Sequence, residues 1–335
     1  MTAGACGTPH SRRPSCQNDK STNNHKEKDL GKFTLRIAIL FVILAIVDVV
    51  MGMAFSSFRG VVYRHNKYSD CMAPEFASKD LDAQIVIVGA SDAKHSYIPS
   101  MITDSTGLSC YNLGRDGSFT VYQLCLINLI AEHYTPKVIV WEIMEDCLSY
   151  DIPSDREYQS MKNLYPYYAE NKFIRNAIDD METFQPVKMR SQMLTNNSLL
   201  MEYVNSIRQN SSSDGYYPLP MSGYRYPEKA IETGYPFKAP RKEQLIKETI
   251  DLCQAKGIKI VFASAPNYSD NALKYSDCYR RLQQIAAEND IPFIDCTNMG
   301  VRFDDNTLYK DVAHLNDNGS RKYMSYFIPF LLKSI

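Results

Sequence analysis

Residues 85–92 read Ile85-Val86-Ile87-Val88-Gly89-Ala90-Ser91-Asp92: four apolar residues running straight into glycine, alanine and serine. A short apolar run closed by turn residues is the pattern of a strand buried on both faces, as strands are in a parallel sheet. A glycine and then a serine after such a strand present a hydroxyl at the turn into a helix, with backbone N–H groups around it. Taken alone, Ser91 reads as well as a plain helix N-cap.

Outward from this stretch the same texture repeats. Leu108–Leu113, Val138–Ile143 (VIVWEI), Ile258–Ala263 (IKIVFA) and Ile291–Asp295 (IPFID) read as further strands. Val121–His133, Arg241–Lys256, Asp277–Asn289 and Asn318–Leu332 read as helices between and after them. Strand–helix alternation predicts an α/β domain, a parallel sheet with helices on both faces. Residues 150–240 break the rhythm with Asp-Gly, Ser-Gly and Pro clusters and read as an insertion with some helix of its own. Many of the 23 tyrosines fall there. They suit a carbohydrate or partner surface, or an ordinary half-buried insertion.

Sheets of this class bind ligands at the carboxyl ends of their strands. After the second strand comes Asn112-Leu113-Gly114-Arg115-Asp116-Gly117, where a glycine can offer its N–H to a developing oxyanion or simply make a turn. This is not a dinucleotide fingerprint. Arg115 suits an anionic sugar or a solvated turn. Near the C-terminus, Asp311-Val312-Ala313-His314-Leu315-Asn316 precedes the last helix. An Asp three residues before a His can hold the imidazole in one tautomer, so that it takes a proton from a serine. His95, one helical turn after Ser91, reads as a surface or substrate-side residue. His65 and His133 have no acidic partner nearby in sequence, and nothing marks Cys147 as a nucleophile.

The three segments Gly89-Ala90-Ser91, Asn112-Leu113-Gly114 and Asp311-Val312-Ala313-His314-Leu315-Asn316, in this order, resemble the blocks of SGNH/GDSL hydrolases. The resemblance covers about 80–335, with 150–240 outside the shared core. It implies a flavodoxin-like three-layer sandwich of the SGNH type. It implies Ser91 as nucleophile with Asp311 and His314 completing a triad, and Ser91 and Gly114 as oxyanion donors. Arg115 and Asn316 are substrate-side candidates. The third block departs from the family, which carries Gly-x-Asn-Asp after the third strand. Here the strand runs Val138-Ile139-Val140-Trp141-Glu142-Ile143-Met144-Glu145-Asp146, and Asp146 falls where the oxyanion Asn is expected. An ionised carboxylate accepts hydrogen bonds and donates none.

The N-terminal part is of a different kind. Residues 1–32 are polar and without apolar periodicity, and are expected to be a disordered tail. Ile37 to Phe55 then reads IAILFVILAIVDVVMGMAF, long enough to cross a bilayer, within an anchor expected over 33–56. Arg12, Arg13, Lys20, Lys26, Lys28, Lys32 and Arg36 precede it, so the positive-inside rule puts the N-terminus in the cytoplasm and the rest outside, periplasmic or extracellular. Gly52-Met53-Ala54 has the form of a signal-peptide cleavage site, but the basic region and the apolar run are both long for one. Asp48 is the one charge in the run; it sits near the outer interface or meets a membrane partner. A linker over 57–80 and an SGNH-like domain over 81–335 complete the expected organisation.

A net charge of −1 gives no field suited to nucleic acid. The nine cysteines contain no CxxC pair, so no metal site or cofactor is expected. An anchor, an outward domain of this type and an altered third block are similar to envelope proteins that O-acetylate alginate or peptidoglycan, or help D-alanylate teichoic acids. That implies a serine-dependent hydrolase or O-acyl(acetyl)transferase acting on a cell-envelope glycan, working beside a membrane-bound acyltransferase. The alternative is a non-catalytic SGNH-like binding or assembly subunit.

Overall fold

The computed structural model describes residues 1, 4, 7, 19–144, 146–152, 154–181, 185–221, 236–266, 268, 276–296 and 299–335. Parts of the tail and of the insertion lie outside these residues. The chain forms two compact units, residues 1–52 and 53–335.

The first unit is built on helix α1, Asp19–His65, which continues into the second. Its segment Asp29–His65 is long and apolar enough to cross a membrane. The helix is longer than the expected anchor at both ends. Residues 19–32 are helical rather than disordered, as the N-terminal continuation of the apolar helix. The expected linker 57–80 is not a linker. Val62 is buried with Leu199 and Tyr203, and helix α2, Ala73–Lys79, buries Phe76 and Ala77 in the main core. The folded unit therefore starts before residue 81, because Phe58 and Val62, four apart on one helix face, have an apolar surface to cover.

The sheet has five parallel strands, β1 Ile85–Val88, β2 Cys110–Asn112, β3 Val138–Glu142, β4 Lys259–Ala263 and β5 Phe293–Ile294, in the order β2-β1-β3-β4-β5. This is the flavodoxin-like order, whose switch point lies between β1 and β3. Inner strands β1 and β3 are buried along their whole length. The edge strands β2 and β5 are shorter than the apolar runs that announce them, because pairing on one side only stops sooner than hydrophobicity does.

Alternate residues feed two cores. Val86, Val88, Ile139, Trp141, Ile260 and Phe262 pack with α2, α5 (Thr120–His133), α11 (Pro240–Ala255) and α12 (Asp277–Glu288). Ile85, Ile87, Val138, Val140, Val261 and Ala263 pack with α3 (Ser91–Ser96), α4 (Pro99–Thr106) and α13 (Asp317–Ser334). The result is the expected three-layer sandwich.

The insertion contributes α6 (Asp155–Met161), α7 (Lys172–Asp179), α8 (Gln185–Lys188), α9 (Gln192–Asn197) and α10 (Leu200–Arg208). It is less separate than its composition suggests, since Met161, Leu164, Ile174 and Ile178 enter the first core. A buried ion pair, Lys242 Nζ to Glu157 Oε1 at 2.8 Å, joins it to α11, and Glu157 Oε2 accepts from the Val121 N–H at the start of α5. After α10 a strap, residues 209–221, crosses the carboxyl edge of the sheet. The Asn112 N–H donates to the Asp214 carbonyl at 2.9 Å. Gly215, at φ +83°, lies so close to Asn112 that a Cβ would stand 1.8 Å from its carbonyl oxygen.

Candidate active site

Ser91 is the first residue of α3, directly above the carboxyl end of β1. Two glycines let α3 sit that low. A Cβ on Gly89 would meet Ala93 Cβ and Glu142 Cβ at 2.6 Å each, and one on Gly114 would meet the Lys94 backbone nitrogen at 2.3 Å. The serine therefore stands at the switch point because neighbouring backbone carries no side chain there.

Asp311 and His314 lie on the loop between a short 3₁₀ turn, Asn306–Leu308, and α13. The Asp311 carboxylate accepts from the Ala313 N–H at 3.0 Å and the His314 N–H at 2.9 Å, which folds the D-x-x-H segment into a tight turn. The same carboxylate faces His314 Nδ1 at 2.9 and 3.0 Å, and His314 Nε2 lies 2.8 Å from Ser91 Oγ. With Nδ1–H donating to the carboxylate, the lone pair of Nε2 points at the serine hydroxyl. Ser91, more than two hundred positions from the other two in sequence, forms one hydrogen-bonded chain with His314 and Asp311.

Burial by itself would raise the Asp311 carboxyl, but the hydrogen bonds from His314 and the two backbone N–H groups outweigh it and bring it down to about 2. The hydrogen bond to Asp311 raises the His314 imidazole above its ordinary value. Burial opposes this, while the charges of Asp92, Asp311 and Asp116 add to it. Asp92 Oδ1 lies 4.0 Å from Nε2. The imidazolium that forms on taking the serine proton thus has two carboxylates to stabilise it.

The site opens into a cleft of about 690 Å³ lined by Ser91, His314 and Asp311 with Lys94, His95, Asp116, Gly117, Gln209, Asn210, Tyr217, Leu219 and Lys310. That is ample for a small acyl ester and part of a larger acceptor. The strap forms one wall. The Tyr217 N–H donates to the Lys94 carbonyl at 3.1 Å, and the Tyr217 carbonyl faces His95 Nδ1 at 2.7 Å. Asp116 is held between Lys94 Nζ at 2.9 Å and His95 Nε2 at 3.0 Å. Burial would raise its carboxyl, but these hydrogen bonds outweigh it and hold it well below the ordinary carboxylate range. His95 was expected at the surface or toward substrate. It lies beside the cleft, buried, with its ring edge-on to His314 at 5.8 Å between centroids.

Four sequence expectations are corrected. The Gly114 N–H already donates to Asn112 Oδ1 at 2.8 Å, so its glycine serves the approach to α3 rather than an oxyanion. Asp146 is outside the cleft lining. Strand β3 ends at Glu142, beside Gly89, and Asp146 sits in the turn beyond, its carbonyl accepting from the Ser149 N–H and hydroxyl. Arg115 turns inward, its guanidinium 5.0 Å above the Tyr122 ring and 3.8 Å from Glu202, contacts that offset part of the cost of burying its charge. Asn316 is buried as the N-cap of α13. Its side chain accepts from the Gly319 N–H and donates to the carbonyls of Thr307 and Tyr309. Of the expected oxyanion groups, the Ser91 N–H remains, at a helix start where the first N–H groups have no intrahelical acceptor.

No protein-family model and no curated protein matches the sequence. Among solved structures, the chain is similar to an assigned acylhydrolase of Bacteroides fragilis, with 14% identity over 74% of this chain and 84% of that one and a TM-score of 0.36. It is also similar to a GDSL-like lipase of Bacteroides thetaiotaomicron, with 11% identity, 79% and 100% covered and a TM-score of 0.40. A third is a Streptococcus pneumoniae protein assigned as a platelet activating factor, with 12% identity, 83% and 98% covered and a TM-score of 0.35.

Proposed function

We propose that this chain is a serine acyl-ester enzyme of the SGNH/GDSL kind, held at a membrane by α1, which moves an acyl group from an ester to water or to a hydroxyl of a cell-envelope glycan. The observation that carries this reading is the unbroken chain from Ser91 Oγ through His314 to Asp311 at an open cleft. In the first half-reaction Ser91 Oγ bonds to the ester carbonyl carbon while its proton passes to His314 Nε2. The tetrahedral intermediate then expels the alcohol, which leaves with that proton. In the second half, water or a sugar hydroxyl gives its proton to His314 as it attacks the acyl-serine. Ser91 then leaves and regains the proton, and His314 ends neutral.

The lining of the cleft supports this choice of acceptor. A fixed carboxylate (Asp116), two amide side chains (Gln209, Asn210) and a part-exposed ring (Tyr217) suit a hydroxyl-rich ligand. A membrane-bound acyltransferase that supplies the acyl group is part of the same proposal. The test is a fluorophosphonate probe on the full-length protein and on Ser91→Ala. Labelling of the former alone is expected, and labelling of neither overturns the reading.

One observation favours the second reading, a non-catalytic binding or assembly subunit. With the Gly114 N–H committed to Asn112, the oxyanion would find few donors. Retained glycan binding without probe labelling would establish that role instead.

A further inference from the structure

His95 lies one helical turn after Ser91 on the same short helix, α3, and is 6% exposed. Its two ring nitrogens face two oxygens. Nδ1 is 2.7 Å from the Tyr217 carbonyl and Nε2 is 3.0 Å from Asp116 Oδ1. A carbonyl oxygen only accepts hydrogen bonds, and so does an ionised carboxylate. Asp116 is held ionised, because Lys94 Nζ takes its other oxygen at 2.9 Å and is itself anchored on Asp70 at 2.8 Å. A neutral imidazole carries one N–H, so either tautomer would turn a lone pair on one of these oxygens at close range. Both nitrogens of His95 therefore donate. The ring is a buried cation paired with Asp116, with Lys94 beyond that carboxylate and His314 edge-on at 5.8 Å.

These bonds hold the strap. The Asp214 carbonyl is tied to β2, and the Leu219 carbonyl takes the Asp317 N–H at the start of α13. Between those ties, both backbone groups of Tyr217 go to α3. Its N–H donates to the Lys94 carbonyl, and its carbonyl accepts from the His95 ring. The Tyr217 ring lies edge-on to that of His95 at 6.1 Å between centroids. The strap supplies Gln209, Asn210, Tyr217 and Leu219 to the cleft. The helix that carries the nucleophile thus also grips the strap wall of the cleft.

We propose that His95 is a positioning residue: donating from both ring nitrogens, it latches the strap to α3 and so shapes the wall that receives the alcohol side of an ester, or the sugar hydroxyl that replaces it. The consequence for substrate rests on the acyl-ester reading, whereas the latch rests on the hydrogen-bond geometry alone. Ser91, His314 and Asp311 keep their own bonds when the latch is loosened. Binding on the alcohol side should therefore suffer more than the chemical step.

The experiment uses the full chain in phosphatidylcholine vesicles. His95→Phe keeps a flat ring and makes neither bond. His95→Gln is the second variant, since its amide turns an oxygen on one of the two acceptors. Amide hydrogen exchange over 209–221 is compared with that of α5 and α11. Strap exchange should rise about tenfold or more in His95→Phe, the scale of one lost charge-assisted hydrogen bond, and by less in His95→Gln, with the two helices unchanged. An unchanged strap overturns the latch. So does faster exchange in strap and helices alike, which would make His95 an ordinary core residue. Magic-angle-spinning ¹⁵N spectra of the histidine-labelled chain, parent minus His95→Phe, should show two protonated ring nitrogens, and an unprotonated one overturns the double donation. Kinetics with glucose pentaacetate and p-nitrophenyl acetate read the consequence. The KM for the sugar ester should rise about tenfold in His95→Phe with kcat changed far less. A fall in kcat at constant KM overturns the positioning role. A parent inactive on both esters fails the acyl-ester reading, and the latch then stands or falls on the exchange and the nitrogen spectra.

Discussion

Replacing Gly114 by alanine tests how the nucleophile is seated. The new Cβ would stand 2.3 Å from the Lys94 nitrogen and 2.8 Å from Ala93 Cβ, where ordinary contact begins at 3.4 Å. Lys94 is backbone inside α3, so the short helix must recede by about 1 Å or the Gly114 loop must move by as much. Ser91 rides on the first turn of that helix, 2.8 Å from His314 Nε2. A misplacement of about 1 Å in a reacting group costs about 100-fold in rate, and overpacking of this kind costs about 1–3 kcal/mol of stability. Gly114→Ala should therefore slow fluorophosphonate labelling and hydrolysis of a small acetyl ester by about 100-fold, with a lowered but cooperative melt. The substitution keeps the backbone N–H, so loss of a donor would not explain the effect. Asn112→Ala would release that N–H but also remove the bonds that Asn112 Nδ2 gives to the carbonyls of Ala93 and Tyr97, so it loosens α3 as well. Labelling of Gly114→Ala at the parent rate, in a folded protein, would refute the account of how Ser91 is placed.

Ser91→Ala and His314→Ala should each abolish acyl chemistry, and the double variant should be no worse than either single, because triad members act as a unit; additive losses in esterase assays would argue against the triad. Labelling of the parent should rise with pH through a midpoint above the ordinary 6.5, since His314 must be neutral to take the proton and its pKa is raised. Asp311→Asn should move that midpoint down and slow the reaction by up to about 10⁴-fold, and an unmoved midpoint in the pH–rate profile would count against Asp311. In denaturant titrations the pair should act in opposite senses. The Asp311 contribution is present above 3.8 and is lost as pH falls towards about 2, whereas that of His314 is complete below 6.5 and is lost as pH rises through its raised value. Asp146→Asn should leave esterase activity unchanged, and a rise would return Asp146 to the oxyanion. Tyr97→Phe removes a buried hydroxyl that donates to Glu142 and meets the Tyr323 hydroxyl at 3.1 Å, and should cost about 1–3 kcal/mol in thermal unfolding.

The sheet was legible because its inner strands are apolar except for Glu142 and Lys259 at their ends, and Ser91, Asp311 and His314 because each sits in a local sequence pattern, Gly-x-Ser after β1 and Asp-x-x-His before α13. What the sequence hid are long-range choices. The N–H of Gly114 is spent on a side chain two residues back, and only the three-dimensional turn reveals it. Asn316 looks like a ligand residue but caps a helix, a use that asparagine serves equally well in sequence. Arg115 was left between sugar and solvent because its partners, Tyr122 and Glu202, are remote in sequence. Tyr217 carried no signal among so many tyrosines. It gains its place in the cleft from the strap, whose course depends on backbone bonds to Asn112 and Lys94. The apolar helix was legible in the sequence and read too short in extent, because hydropathy marks the apolar run and is silent on where the helix stops.

The strap has a consequence for handling the protein. Strand β2 is an outer strand of the sheet, and an uncovered outer strand is a template for pairing with another chain. The Asp214 carbonyl takes the Asn112 N–H, and Gly215 presses onto the same residue, so the strap closes off part of that template. Shortening the insertion to obtain a smaller soluble domain would strip this cover while leaving the apolar strand in place. The trimmed protein should then be prone to self-association through β2, and a charged or proline residue facing outward there would be needed to keep it monomeric.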